Sequence, residues 1–198
     1  MDTEKPLTKI FLSASIPSPD RNKIYFDTAD IIAIRDAIKA LATVIIPKCH
    51  LIWGGHPSIT PLIRYVLERM NSKVQSHVTL YQTLFYEDGF PEDNFSFENV
   101  ILTPRFDTSK ESLEYMRARM IQDNDFRVGI FIGGMEGIND EYEMFSKAHP
   151  SALVLPIAST GAAADLLFQK TKNSNMRLKN DFAYQSLFSE LLADFIKF

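Results

Sequence analysis

Six short apolar runs, each separated from the next by an amphipathic segment, constrain this chain more than any other feature. The runs are Lys9–Ala14, Cys49–Trp53, His77–Tyr81, Asn99–Thr103, Arg127–Ile132 and Ala152–Ile157. They lack the polar-apolar alternation of a sheet with one wet face. A strand that is apolar on both sides must be covered on both sides, so alternation of such strands with helices predicts an α/β fold with a mainly parallel, doubly wound sheet. With 198 residues, no linker and no internal repeat, the expectation is a single domain over residues 1–198.

The helices announce themselves by period and caps. Over Asp30–Ala42, Ile31, Ile34, Ile38 and Leu41 recur at spacings of three and four, the mark of one buried helix face. Pro61–Met70 is expected to be helical, with Thr60 as its N-cap and Pro61 in its first turn. Thr108 and Glu111 have capping-box spacing, which starts a helix running to about Gln122. Further helices are expected over Ile138–Ala148, Ala162–Lys170 and Asp181–Lys197. The stretch Gln82–Glu98 has no period and holds Gly89, Pro91 and several acids, so an irregular flap is expected there.

Composition removes several function classes. Lys and Arg number 21 against 25 Asp and Glu, for a net charge of −4. Without clustered cations to neutralise phosphates, nucleic acid is a poor partner. The single cysteine, Cys49, permits no intramolecular disulfide and no Cys-based zinc site, and suits a reducing cytoplasm. His50, His56, His77 and His149 have no ligand spacing, so no metal and no resident cofactor are expected. The start, Met1–Lys5, is acidic and is not followed by an apolar run of leader length. No run approaches the ~20 residues that span a bilayer. A cytoplasmic location away from membranes is the expectation.

In parallel sheets, ligands bind beyond the carboxyl ends of the strands. Four segments there are rich in small or hydroxyl residues: Ser13 to Ser15; Gly54, Gly55 and His56, running on to Thr60; Gly133 to Gly137, with Met135 and Glu136 between; and Ser159, Thr160 and Gly161. Glycine lets backbone N–H groups approach an anion, and a following helix adds its free donors and positive dipole end. These residues are the candidate ligand-binding set, either for such a ligand or simply as tight turns. At ~100° per residue, Glu141 shares the inward face of its helix with Ile138, Tyr142 and Phe145, whereas Glu143 points to solvent. On the preceding helix, Arg117 borders the buried stripe Leu113, Met116 and Met120, and Arg119 points further away. Surface arginines are the plain alternative, with Arg117 paired to Glu114. Arginine is nevertheless the preferred fork for phosphate.

The turn from Gly129-Ile130-Phe131-Ile132 through Gly133-Gly134 to Glu141 resembles a signature of the Lonely Guy proteins, and more broadly of the SLOG superfamily. Ile10–Ser15, Trp53–Pro57 and Ser159–Ala163 resemble the other binding loops, especially those of SLOG domains found beside bacterial TIR and Sir2-like defence genes. Met116–Met120 resembles the arginine-bearing helix. The pattern departs from the family at Ile132, where a proline is usual, at the extra position Glu136, and at Ile138, where a threonine is usual. The resemblance implies a Rossmann-like domain and a nucleotide, NAD-derived or ADP-ribose-like ligand. Arg117 or Arg119 would offset its charge. It implies either a sensor acting through an effector protein, or an N-glycosidic hydrolase with Glu141 and Arg117 as catalytic residues. It also implies a homodimer. Phe182, Leu187, Phe188, Leu191, Leu192, Phe195 and Phe198 exceed what one narrow helix stripe needs, which is compatible with pairing or with burial inside one chain.

Overall fold

The computed structural model describes residues 6–196. Its strands are β1 (Thr8–Ser15), β2 (Cys49–Gly54), β3 (Val78–Thr83), β4 (Val100–Thr103), β5 (Phe126–Gly133) and β6 (Leu153–Ile157). They form one sheet in the order β4-β3-β2-β1-β5-β6, with every pair parallel. The order reverses between β1 and β5, so the loops leaving these two strands diverge and open a crevice at the carboxyl edge.

The helices are α1 (Lys23–Thr28), α2 (Ile31–Ile45), α3 (Thr60–Leu67), α4 (Ser109–Gln122), α5 (Glu136–Ala148), α6 (Ala162–Lys170), α7 (Arg177–Asn180) and α8 (Tyr184–Leu191). Alternate side chains of each strand serve opposite faces. On one face Ile10, Leu12, Ile130 and Ile132 pack against Ile34, Ile38 and Leu41 of α2, with α3 and α8 alongside. On the other, Phe11 and Phe131 meet Met116 and Met120 of α4, Phe145 of α5 and Leu167 of α6. Phe11 stacks on Phe145 with ring centroids 5.2 Å apart. Both faces of the central strands are therefore dry, as the apolar runs require, while Ile101 and Leu102 on edge strand β4 and Leu153 on edge strand β6 stay exposed.

Local chemistry fixes the ends of these elements. The Asp30 side chain accepts the Ala33 N–H at 2.9 Å and starts α2. Thr108 and Glu111 form the expected capping box of α4. Thr60 does not cap α3. Ile59 holds the cap position, because the Thr60 hydroxyl accepts the Trp53 indole N–H at 3.3 Å. The expected helix Asp181–Lys197 is shorter. Asp181 accepts the Ala183 N–H at 2.9 Å, so α8 starts only at Tyr184. Lys197, Phe198 and the Met1–Lys5 start lie outside the described residues. Among those described, no helix is long and apolar enough to cross a membrane.

Candidate functional site

A cavity of about 780 Å³ opens at the carboxyl edge, bounded by the ends of β1 and β2, the segment after β3, the inner side of α4 and the first turn of α5. Its floor is β1. Ser13 lies on the Phe11 face of that strand, is only 2% exposed, and has a hydroxyl with no hydrogen-bond partner among the described residues. Burying a hydroxyl unpaired costs ~1–3 kcal/mol, a cost that a polar group reaching it from the cavity would relieve.

The wall opposite is the start of α5. Gly133 and Gly134 turn the chain off β5 at φ +57° and +79°, values that side chains with a Cβ rarely adopt. Met135 then takes the N-cap position without a side chain able to cap. The Ile138 N–H donates back to the Met135 carbonyl at 3.0 Å, but the N–H groups of Met135, Glu136 and Gly137 have no partner among the described residues. Open donors at the positive end of a 13-residue helix form an anion-binding corner.

Arg117 and Glu141 meet at this corner. The Arg117 Nε donates to Glu141 Oε1 at 3.0 Å and its Nη1 to Asp140 Oδ2 at 3.4 Å. The two main partners are 15% and 14% exposed. Arg117 Nη2 lies against Gly137, where a Cβ would come within 2.5 Å of it. The absence of that Cβ lets the guanidinium approach the helix start. The plain alternative, a pair between Arg117 and Glu114, does not form. Glu143 faces outward and pairs with Lys170.

Other expected residues fall into two groups. Ser15, Gly54, Gly55 and His56 line the cavity beside Met135, Glu136 and Gly137. Yet the Gly55 N–H is already given to the Tyr81 carbonyl at 3.0 Å. Gly133, Gly134, Ser159, Thr160, Gly161, Thr60 and Arg119 are not on the cavity wall. Their polar groups are used elsewhere. The Gly133 N–H donates to Thr160 Oγ1 at 2.9 Å, and the Gly134 N–H to the Ser15 carbonyl at 2.8 Å. Ser159 bonds Tyr184 at 3.0 Å, Gly161 is packed on the Thr28 carbonyl, and Arg119 pairs with Asp123 at 2.6 Å. The Ser159–Gly161 turn thus braces the Gly-Gly turn and α1 from behind.

The structure adds residues with no motif of their own. Phe85, Tyr86 and Phe90 add aromatic rings to the cavity lining, and Arg21 borders it from the turn before α1, whereas the Trp53 ring is 2% exposed and packs on Phe97 in the core. Arg21 sits 4.0 Å from Glu136, and Asn22 donates to the same carboxylate at 3.3 Å. The Gln82–Glu98 stretch starts as the end of β3 and then folds into two 3-10 turns, Leu84–Gly89 and Glu92–Ser96. The Arg64–Asp93 pair, at 2.5 Å, ties it to α3. Burial pushes the thiol of Cys49 up to about 11, which leaves little thiolate for nucleophilic chemistry. Among the described residues no group of three or more His, Cys, Asp or Glu is placed to hold a metal ion.

An all-parallel sheet covered by helices, with a crevice at its order reversal, defines a Rossmann-like α/β fold. A family model described as the SLOG cluster3 family matches residues 24–192. The chain belongs to that family. No individual curated protein matches it.

Proposed function

We propose that this protein binds a nucleotide-derived ligand, NAD-like, ADP-ribose-like or a nucleoside phosphate, in the carboxyl-edge cavity and acts as its sensor. The observation that carries this is the anion corner: three open N–H groups at the start of α5 beside Arg117 Nη2, with the unpaired Ser13 hydroxyl on the same cavity. A phosphate is the group that suits aligned helix donors beside the remaining Nη2 donor of an arginine. The aromatic lining residues Phe85, Tyr86 and Phe90 suit a base. Charge limits the phosphate count. Arg21, Lys110 and Arg117 line the cavity together with five carboxylates, Asp88, Glu114, Glu136, Asp140 and Glu141. That balance favours one or two phosphates over three, because each added anion meets like charge. A sensor acts through another protein, so an effector partner is part of this proposal, as is the homodimer.

A second function is favoured by Glu141 itself. Its carboxylate stands on the cavity wall, held by Arg117. A carboxylate in that place stabilises an oxocarbenium-like transition state and aligns water, the requirements for N-glycosidic hydrolysis. One experiment separates the two: incubation with AMP, nicotinamide mononucleotide, ADP-ribose and NAD, following melting temperature and free base together. A sensor gives a shift with no base. A hydrolase gives base, and loses that release in Glu141→Gln.

A further inference from the structure

The imidazole of His56 lines the cavity and has its two ring nitrogens in different situations. Nδ1 lies 3.3 Å from the backbone N–H of Ser58, which can only donate. That bond makes Nδ1 an acceptor, and an imidazole with a bare Nδ1 carries its proton on Nε2. The Ser58 hydroxyl agrees with this. Its oxygen accepts the Ile16 N–H at 3.1 Å, which leaves its own proton free to point at Nδ1, 2.8 Å away. The chain of donors therefore runs from the loop after β1, through Ser58, into Nδ1. The opposite nitrogen, Nε2, has no partner among the described residues.

We propose that His56 is a specificity-determining residue of this cavity, a neutral imidazole whose Nε2–H donates to an acceptor atom of the ligand, with Ser58 as the positioning residue that sets its tautomer. This role presupposes that the cavity takes a nucleotide-derived ligand. Burial, and then the Arg21 cation, hold the imidazole well below its ordinary range, at about 4, so it stays neutral near neutral pH. A fixed neutral donor selects for a carbonyl, ether, phosphate or bare ring-nitrogen acceptor. It rejects an amine or amide N–H in that place, because two donors would face each other in a partly dry site.

Two measurements test the role. The first needs no ligand: nitrogen-15 NMR of the histidine rings at neutral pH. Nδ1 of His56 is expected to show the shift of a bare ring nitrogen and Nε2 that of a protonated one; the reverse pattern overturns the proposal. The second measures affinity for AMP, nicotinamide mononucleotide, ADP-ribose and NAD in the wild type and in His56→Gln, His56→Asn and His56→Ala. The Gln amide reaches the position of Nε2, whereas the Asn amide reaches only that of Nδ1. Gln is therefore expected to stay within about threefold of wild type, while Asn and Ala lose about tenfold or more, the worth of one hydrogen bond in a partly buried site. Equal losses for Gln and Asn overturn the donor role while wild-type binding keeps the nucleotide site intact. If none of the four ligands binds the wild type, the nucleotide site itself is refuted, and this role with it.

Discussion

Glu141 and Glu143 are two residues apart on one helix and differ in everything that follows from phase. Glu141 faces the cavity and Arg117, whereas Glu143 faces solvent and Lys170. Glu141→Gln keeps the shape but removes the charge that anchors Arg117. Arg117 then loses its anchor at the anion corner while the cavity loses one like charge, so ligand affinity is expected to change by about threefold or more in calorimetry. Glu143→Gln is expected to leave it unchanged. Equal effects of the two would place the ligand elsewhere. His56 gives a second residue-scale expectation. Its folded pKa, about 4, lies below its ordinary 6.5. The unfolded chain therefore takes up the proton first as pH falls, and the stability present above about 6.5 drains away between there and about 4. Urea unfolding at pH 7 and pH 5 should show a smaller loss in His56→Gln than in the wild type; an identical loss would mean that His56 titrates normally.

At the scale of elements, the sequence was most legible where one physical requirement dominates. Apolar runs marked all six strands, and the Thr108–Glu111 spacing marked the start of α4. Short or locally bonded elements were illegible. Helix α1 has six residues, too few to show a period, and its one signal was Asn22, whose side chain accepts the Ile24 N–H at 3.1 Å. The flap lacks a period because its 3-10 turns are held by local bonds such as the Phe85 N–H to the Thr83 hydroxyl at 3.3 Å. Glycine turns are ambiguous in sequence for a related reason. Those at Gly133 and Thr160–Gly161 bond to each other, and the open donors begin two residues after Gly133, which no composition rule distinguishes. Gly137→Ala tests this distinction. Alanine favours a helix over glycine by about 0.5–1 kcal/mol, but its Cβ would displace Arg117 Nη2. The expected outcome is an unchanged or raised melting temperature with at least tenfold weaker nucleotide binding. Unchanged binding would remove Arg117 from the anion corner.

At the scale of the whole molecule, the apolar residues near the carboxyl end mostly turn inward. Leu187, Phe188 and Leu192 are buried in the core shared with α2, and Phe182 remains 58% exposed. The homodimer thus draws little support from this helix, and a monomeric mass by light scattering at micromolar concentration would exclude it. Phe188→Ala removes a fully buried ring and is expected to cost about 3–5 kcal/mol in chemical unfolding; a cost below about 1 kcal/mol would contradict the packing of α8. The central claim, that the ligand's anionic group docks at the start of α5, is tested most directly by amide NMR during titration with AMP. The account predicts the largest shifts at Met135, Glu136 and Gly137, with Ser13 moving alongside. Shifts at Gly133, Gly134, Thr160 and Gly161, with Met135–Gly137 unmoved, would contradict it.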